Sequence, residues 1–396
     1  MYKVPDNELR VDLLSSAGVN PWAQHDSSSR VQMLGGHLGQ ALVVDGATPR
    51  RCFTGMEREL GRFTFNVKMP ANAEIIRVID KYPRTIGPSS VKENPLSTII
   101  YEDVETKMIG IVTLPRWHCR HQHFGFRYKM KSNVLNRLVP GATIGKGTIL
   151  ADSPAVDDMG NYMIGLETNV AFMSVPGIIE DGMIVSEDYA KRLTTHGFES
   201  RVAVWGTRYY PLNLYGTDTE YKPFPDIGDR IREDGLLFAL RQYDPLLGPV
   251  EMTPKALRSP DFTFDRLTYA EPGAKVIDVN IRRQIMNGPP PTPVGMEVQT
   301  NKYYAAQLQY YRNLLDTYNE LKRRRKDTLK ITEEFHRLLV EALIYTSEPG
   351  KIRAKLIHQR MPLDDWRVEV TFDYEIVPTV PFKLTDFHGG GIYSAN

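Results

Sequence analysis

Cysteine is scarce: Cys52 and Cys119 are the only two in 396 residues. That is too few for a disulfide scaffold, and it fits a reducing compartment. No apolar run reaches the roughly 20 residues of a membrane-spanning helix. The opening MYKVPDNELRVDLL lacks a basic region followed by an apolar core, so no signal peptide is evident. A G-x-S-x-G nucleophile elbow is missing, and neither cysteine has an activating context. The phosphate-loop pattern G-x-x-x-x-G-K-S/T is missing too; GATIGKGT has only Gly-Lys-Gly ahead of a strand-like run, a β-turn. There is no internal repeat, and low-complexity sequence is confined to NGPPPTP, a stiff spacer at Asn287 to Pro293.

What is present is an ordinary globular composition, 41% hydrophobic and 24% charged, with a net charge of only +1. The length allows two or three domains around a large core. Charge is unevenly spread, and local charge is what a polyanion feels. From Thr106 to Ala151 there is no Asp or Glu, while Lys107, Arg116, Arg120, Arg127, Lys129, Lys131, Arg137 and Lys146 accumulate, interleaved with Trp117, Phe124, Phe126 and Tyr128. This is the composition of a surface facing phosphates and stacked bases, the alternative being a basic strand pair compensated by acids elsewhere in the fold.

The first seventy residues read as short helices and turns leading into strands. AEIIRVID, LSTIIYED and KMIGIVTL are short, β-branched and bounded by Pro, Gly or Asn, which predicts strands between Ile75 and Leu150. Ser186 caps a predicted helix with Glu187 in its first turn. From about Arg201 to Asp373 the texture is Pro- and loop-rich around one helical block. There Tyr304, Leu308, Tyr311, Leu315 and Tyr318 form a heptad-like seam, expected to pack against Ile331 to Tyr345 as a hairpin whose charged tip, KRRRKD, projects into solvent.

Cys119, His121 and His123 in HCRHQHF share one face of a strand and could ligate zinc. Alternation on a single strand rarely closes a tetrahedron, so a polar, nucleic-acid-facing strand is the preferred reading and no zinc is expected. Glu180 and Asp181 end an apolar approach just before GMIVS; adjacent carboxylates suit Mg²⁺, which takes one or two of them plus substrate phosphates, but acids before a helix are also common. The closing PFKLTDFHGGGIYSAN offers a lysine, a histidine and three glycines, readable as a phosphate cradle or as a mobile tail.

Taken in order, HDSSSRVQMLGGHLGQALV (His25 to Val43), TGMERE (Thr54 to Glu59), GKGTILADSPAVDDMGNYMIGLETNVAFM (Gly145 to Met173), IIEDGMIVSE (Ile178 to Glu187) and KLTDFHGG (Lys383 to Gly390) resemble five blocks of the beta subunit of multisubunit DNA-directed RNA polymerases. The resemblance covers nearly the whole chain but only the middle of the family protein. It looks like a divergent, split beta subunit, of the kind known from large-genome tailed phages, and so implies the cytoplasm of an infected bacterial cell. The implied fold is mixed α/β and β-rich: part of a double-psi β-barrel, a hybrid-binding β region and a flap-like domain with a helical hairpin at about 301–345. The implied segments are a fork and active-centre region at 1–70, a hybrid-binding region at 71–150, barrel strands with the acidic pair at 151–200, the flap-like domain at 201–373 and a barrel return strand at 374–396.

Residue by residue, the resemblance implies that Arg30 contacts the incoming nucleotide's phosphates and that Gln40 lies near the RNA end. Glu180 and Asp181 match the acidic pair beside the second Mg²⁺, directly or through water. Lys383 matches a lysine on RNA phosphate, with His388 beside it. Gly36 and His37 stand where the bacterial pattern has Asn and Met, and the second lysine of the H-G-N-K-G block is missing after His388. The implied activity is template-directed nucleotidyl transfer from NTPs to the RNA 3′ end, with this chain as one wall of the active centre. Arg116, Arg120, Arg127, Lys129 and Lys131 would then face nucleic acid. The catalytic aspartates and the principal Mg²⁺ ligands would belong to a beta-prime-like partner. Further partners would be the remaining beta fragments, an initiation factor at the flap, template DNA and RNA. A non-catalytic, nucleic-acid-binding scaffold subunit is the alternative.

Overall fold

In a computed structural model, the structure describes residues 17–383 except 84–90, 122, 164, 172, 174–175, 177–181, 245, 247–251, 285–291, 294, 326–327, 348–363 and 378–381. The architecture is mixed α/β and rich in β-structure, as expected. A four-stranded antiparallel sheet has the order β4 (Ile109–Pro115), β3 (Leu96–Asp103), β2 (Ala73–Asp80) and β8 (Thr143–Ile144). β3 is buried from Ser97 to Tyr101 because the sheet is covered on both faces, and its polar Ser97 and Thr98 are buried with hydrogen-bond partners in Asp80 and Tyr310. One face carries Ile75, Ile99, Tyr101, Val112 and Leu114 against Met69, Leu150 and Ala151. These last three belong to or adjoin a small sheet of β1 (Val67–Lys68), β9 (Ile149–Asp152) and β7 (Lys129–Met130).

The five-stranded sheet runs β15 (Lys275–Gln284), β16 (Asp365–Ile376), β11 (Thr195–Trp205), β6 (Phe124–Arg127) and β5 (Trp117–His121). β11 and β16 pair without a break from Thr195 opposite Ile376 to Trp205 opposite Trp366. Their alternating apolar residues, Ala203, Trp205, Val368, Val370 and Phe372, enter the largest core with Val276, Val279, Ile281, Phe224 and Phe238. A third sheet joins β12 (Tyr209–Pro211), β13 (Leu236–Gln242) and β14 (Arg266–Tyr269). A two-stranded ribbon pairs β10 (Gly182–Met183) with β17 (Phe382–Lys383). The limits at 200 and 373 read from sequence texture fall inside β11 and β16, so the segments on either side share one sheet through its hydrogen-bonded ladder.

The helices are α1 (Ser28–Gln40), α2 (Met56–Gly61), α3 (Ser132–Leu135), α4 (Glu187–Arg192), α5 (Pro254–Arg258), α6 (Val298–Arg325) and α7 (Glu333–Tyr345). The 28 residues of α6 join two cores. Tyr303 packs with Phe224 and Trp366 in one, while Tyr310, Leu314 and Leu321 pack with Ile79, Ile100 and Ile109 in the other. The expected seam does meet α7: Tyr311 and Tyr345 rings lie 4.5 Å apart, and Tyr318 meets Phe335 edge-on at 6.2 Å.

The hairpin tip meets expectation in part, and its Lys326 and Asp327 lie outside the described residues. Lys322, Arg323 and Arg324 are exposed, but Arg325 forms an ion pair with Glu102 of β3. Just beyond the tip, the Ile109 amide donates to Lys330 O at 2.9 Å, and the Thr332 amide returns a bond to Ile109 O at 2.9 Å. The end of the hairpin is therefore docked on the four-stranded sheet. Its length forces this, since a helix anchored at Tyr303 reaches the second core well before its C-terminus.

Candidate functional site

The helix α1 starts at an N-cap, Ser27, whose hydroxyl accepts from the Arg30 amide at 3.4 Å. Arg30 is exposed, its guanidinium 4.0 Å from the Met33 sulfur. His37, half-buried, follows two turns later and therefore lies on the same helix face. Gln40 closes the helix. The chain then enters a buried stretch, where Leu42 and Val44 pack with Leu193. Backbone bonds pin it in place: Asp45 N donates to Thr194 O at 3.1 Å and Thr195 Oγ1 to Val43 O at 2.7 Å.

Glu180, Asp181 and His388 lie outside the described residues. The ribbon of β10 and β17 nonetheless brings two parts of the expected site together. Gly182, the residue after Asp181 in the chain, is the register partner of Lys383, and Met183 that of Phe382. Two segments about 200 residues apart in sequence thus meet by main-chain pairing.

The TGMERE block is organised by Glu57, which is fully buried and accepts from the Thr54 and Gly55 amides at 3.1 and 2.9 Å, the Thr54 hydroxyl at 3.2 Å and the Arg50 guanidinium at 3.1 Å. Gly55, at φ +88°, starts the helix in a left-handed conformation that favours glycine. A Cβ at Gly61 would lie 2.0 Å from Gly160 O, so this helix sits directly on the loop at 157–162. The role legible here is architectural.

The basic segment is partly neutralised within the chain. Arg127 is ion-paired with the buried Asp373. Lys131 binds Asp152 at 2.6 Å, with Asp158 at 3.7 Å, and the Asp152 bond holds its ammonium above the usual lysine range. Arg116 donates to Ser97 Oγ at 3.1 Å. Lys129 is exposed, and Arg120 belongs to β5. A cleft of about 710 Å³ opens beside these strands, lined by Arg116, Trp117, Arg127 and Tyr128 together with the carboxylates Asp80, Glu93 and Asp373. Its mixed charge makes it a poorer phosphate channel than the sequence alone implied.

Among the described residues, no group of three or more His, Cys, Asp or Glu is arranged to hold a metal. Burial pushes the Cys119 thiol up, away from the thiolate a metal needs, and the His123 ring packs on Phe124 at 4.1 Å. No helix among the described residues is long and apolar enough to cross a membrane.

One group escaped sequence reasoning. His196, on β11, is buried, with Nδ1 2.7 Å from Asp373 Oδ1 and Nε2 2.6 Å from Asp45 Oδ2. Burial disfavours the imidazolium, but the two carboxylates outweigh it and raise the pKa to about 9. Nothing local in THGFESRVAVW marks this histidine, because both partners come from distant parts of the chain.

No protein-family model matches the sequence. Among curated proteins, the chain is 23% identical over 275 residues to the DNA-directed RNA polymerase subunit beta of Thermosipho melanesiensis, covering 67% of this chain and 22% of that protein. It is 24% identical over 293 residues to that of Syntrophus aciditrophicus, covering 71% and 20%, and 24% identical over 278 residues to that of Lawsonia intracellularis, covering 67% and 19%. The chain is thus distantly similar to RNA polymerase beta subunits. It spans about a fifth of the length of the curated relatives it matches. The similarity covers about two thirds of the chain, less than the nearly complete span the motifs suggested.

Proposed function

We propose that this chain is a fragment of a split RNA polymerase beta subunit that supplies one wall of the active centre for template-directed nucleotidyl transfer. The observation that carries the reading is the pairing of Gly182 with Lys383, which joins the strand after the acidic pair to the strand bearing the RNA-contacting lysine of the family pattern. Part of a double-psi β-barrel is the fold this ribbon would belong to, and a phage genome is the origin a split subunit suggests.

In this reading Arg30, exposed on α1, binds the triphosphate of the incoming NTP, with His37 and Gln40 further along the helix toward the RNA end. Lys383 and His388 hold RNA phosphate near the 3′ terminus. Cations aimed at a transferring phosphoryl group contribute most where water is excluded, as a closed assembly would provide. Glu180 and Asp181 offer the hard carboxylate oxygens that suit Mg²⁺ bound also to phosphate. That ion, when bound, would neutralise charge building on the triphosphate. The remaining partners are a beta-prime-like chain with the principal metal ligands, the other beta fragments, an initiation factor, template DNA and RNA.

The test is made in the assembled enzyme. Asp181→Ala should lower the elongation rate most severely at limiting Mg²⁺. Unchanged elongation there would favour a non-catalytic scaffold subunit, a reading that the internal neutralisation of Arg127 and Lys131 leaves standing. Purification of the chain without any partner carrying catalytic aspartates would sink both.

A further inference from the structure

The chain of charge through His196 connects three segments, to two of which the proposed function gives roles. Asp45 lies five residues beyond the end of α1, which carries Arg30 and His37. Asp373 is on β16, nine residues before the start of β17 and Lys383. Arg127, on β6 in the basic segment, binds the second oxygen of Asp373. The His196 side chain bonds both Asp45 and Asp373. We propose that His196 is a positioning residue for the nucleotidyl-transfer centre, locking the segment that follows α1 against the strand that leads to Lys383. The proposal rests on the polymerase reading given above.

Geometry and charge agree with this role. Alternating along the path, Asp45, His196, Asp373 and Arg127 balance when the imidazole carries its proton, and loss of that proton leaves two carboxylates facing a neutral ring. Asp45 comes from the segment after α1, and Asp373 and the exposed Glu375, its register partner, come from β16. On β6 the residue opposite is Gly125, with Arg127 acting through Asp373. The Phe198 ring, 6.1 Å away and itself stacked on Trp117, closes the apolar side. Since the folded-state pKa, about 9, exceeds the ordinary value of 6.5, the stabilising contribution is full below pH 6.5 and is lost as pH rises through 9. Of the two carboxylates bonded to His196, Asp45 is 43% exposed and Asp373 only 1%, so opening of the bridge is expected on the side of the N-terminal segment.

The experiment compares wild type, His196→Gln and the milder Asp45→Asn in the assembled enzyme. Expected for both variants is a KM for NTP raised roughly tenfold with a smaller change in kcat, because the phosphate-binding helix is displaced while the chemistry is intact. The ratio of variant to wild-type kcat/KM should approach one above pH 9, where the wild-type bridge has also opened. Hydrogen exchange of the amides at 41–48 should be faster in the variants at pH 7 and should match wild type above pH 9. An active wild type whose variants keep their KM and their exchange rates would overturn this proposal alone. A wild-type assembly that makes no RNA overturns the polymerase reading, and this proposal with it. Should His196→Gln fail to fold, Asp45→Asn carries the same expectations, since its carboxylate is at the rim.

Discussion

At the scale of single residues, the motif side chains divide into those the fold consumes and those it leaves at the surface. Glu57 illustrates the first kind. Its carboxylate is enclosed by two amides, a hydroxyl and the Arg50 guanidinium, which also reaches the Val19 carbonyl. Removing one partner of a buried ion pair leaves the other charge uncompensated, which costs far more than the pair contributes. Glu57→Ala should therefore destabilise the protein by about 3–5 kcal/mol, read as a lower urea midpoint, whereas Arg58→Ala, in the same helix but not in that network, should shift it little. Equal effects would mean that the carboxylate network does not hold this region. Arg30 is of the second kind, exposed and engaged mainly with a neighbour on its own helix, as a group reserved for a ligand would be.

At the scale of elements, α6 shows how far sequence periodicity reaches. Tyr304, Leu308, Tyr311, Leu315 and Tyr318 are legible as a seam, and the three tyrosines among them meet rings of α7. The fully buried stripe is the adjacent one, Tyr303, Gln307, Tyr310, Leu314, Thr317 and Leu321, which faces the sheets. Gln307 and Thr317 disguise it. The Ile281 amide donates to Gln307 Oε1 at 2.7 Å, and Arg77 donates to Thr317 Oγ1 at 3.1 Å, so polar side chains act as cross-links where an apolar pattern is sought. Leu314→Ala should cost about 2–5 kcal/mol, and Leu315→Ala, half-buried at the helix pair, distinctly less. Urea unfolding of the two variants checks the order; a reversal would place the seam, not the stripe, in the core. Strands such as β3 were legible for a different reason, a short β-branched run with Pro95 just before it. The pairing of β10 with β17 and the bridge at His196 were not, since each joins residues more than 150 positions apart and leaves no local pattern.

At the scale of the molecule, a net charge of +1 conceals a basic segment whose exposure decides whether it can bind nucleic acid. Composition counted Lys129 and Lys131 alike. In the fold they differ: Lys129 is exposed, whereas Lys131 is held by Asp152 at 2.6 Å. A cation already paired within the protein releases few counterions when a phosphate approaches, so it contributes little to the salt dependence of binding. If the segment faces nucleic acid, Lys129→Ala should flatten the dependence of log K on log salt by about 0.7 for single-stranded RNA, while Lys131→Ala leaves the slope near that of wild type and instead lowers stability by leaving Asp152 buried and unpaired. Titrations of labelled RNA at several salt concentrations, with the protein in its assembly, measure both slopes. Slopes unchanged in both variants would remove the basic segment from the nucleic-acid interface and leave Arg30 and Lys383 to carry phosphate recognition.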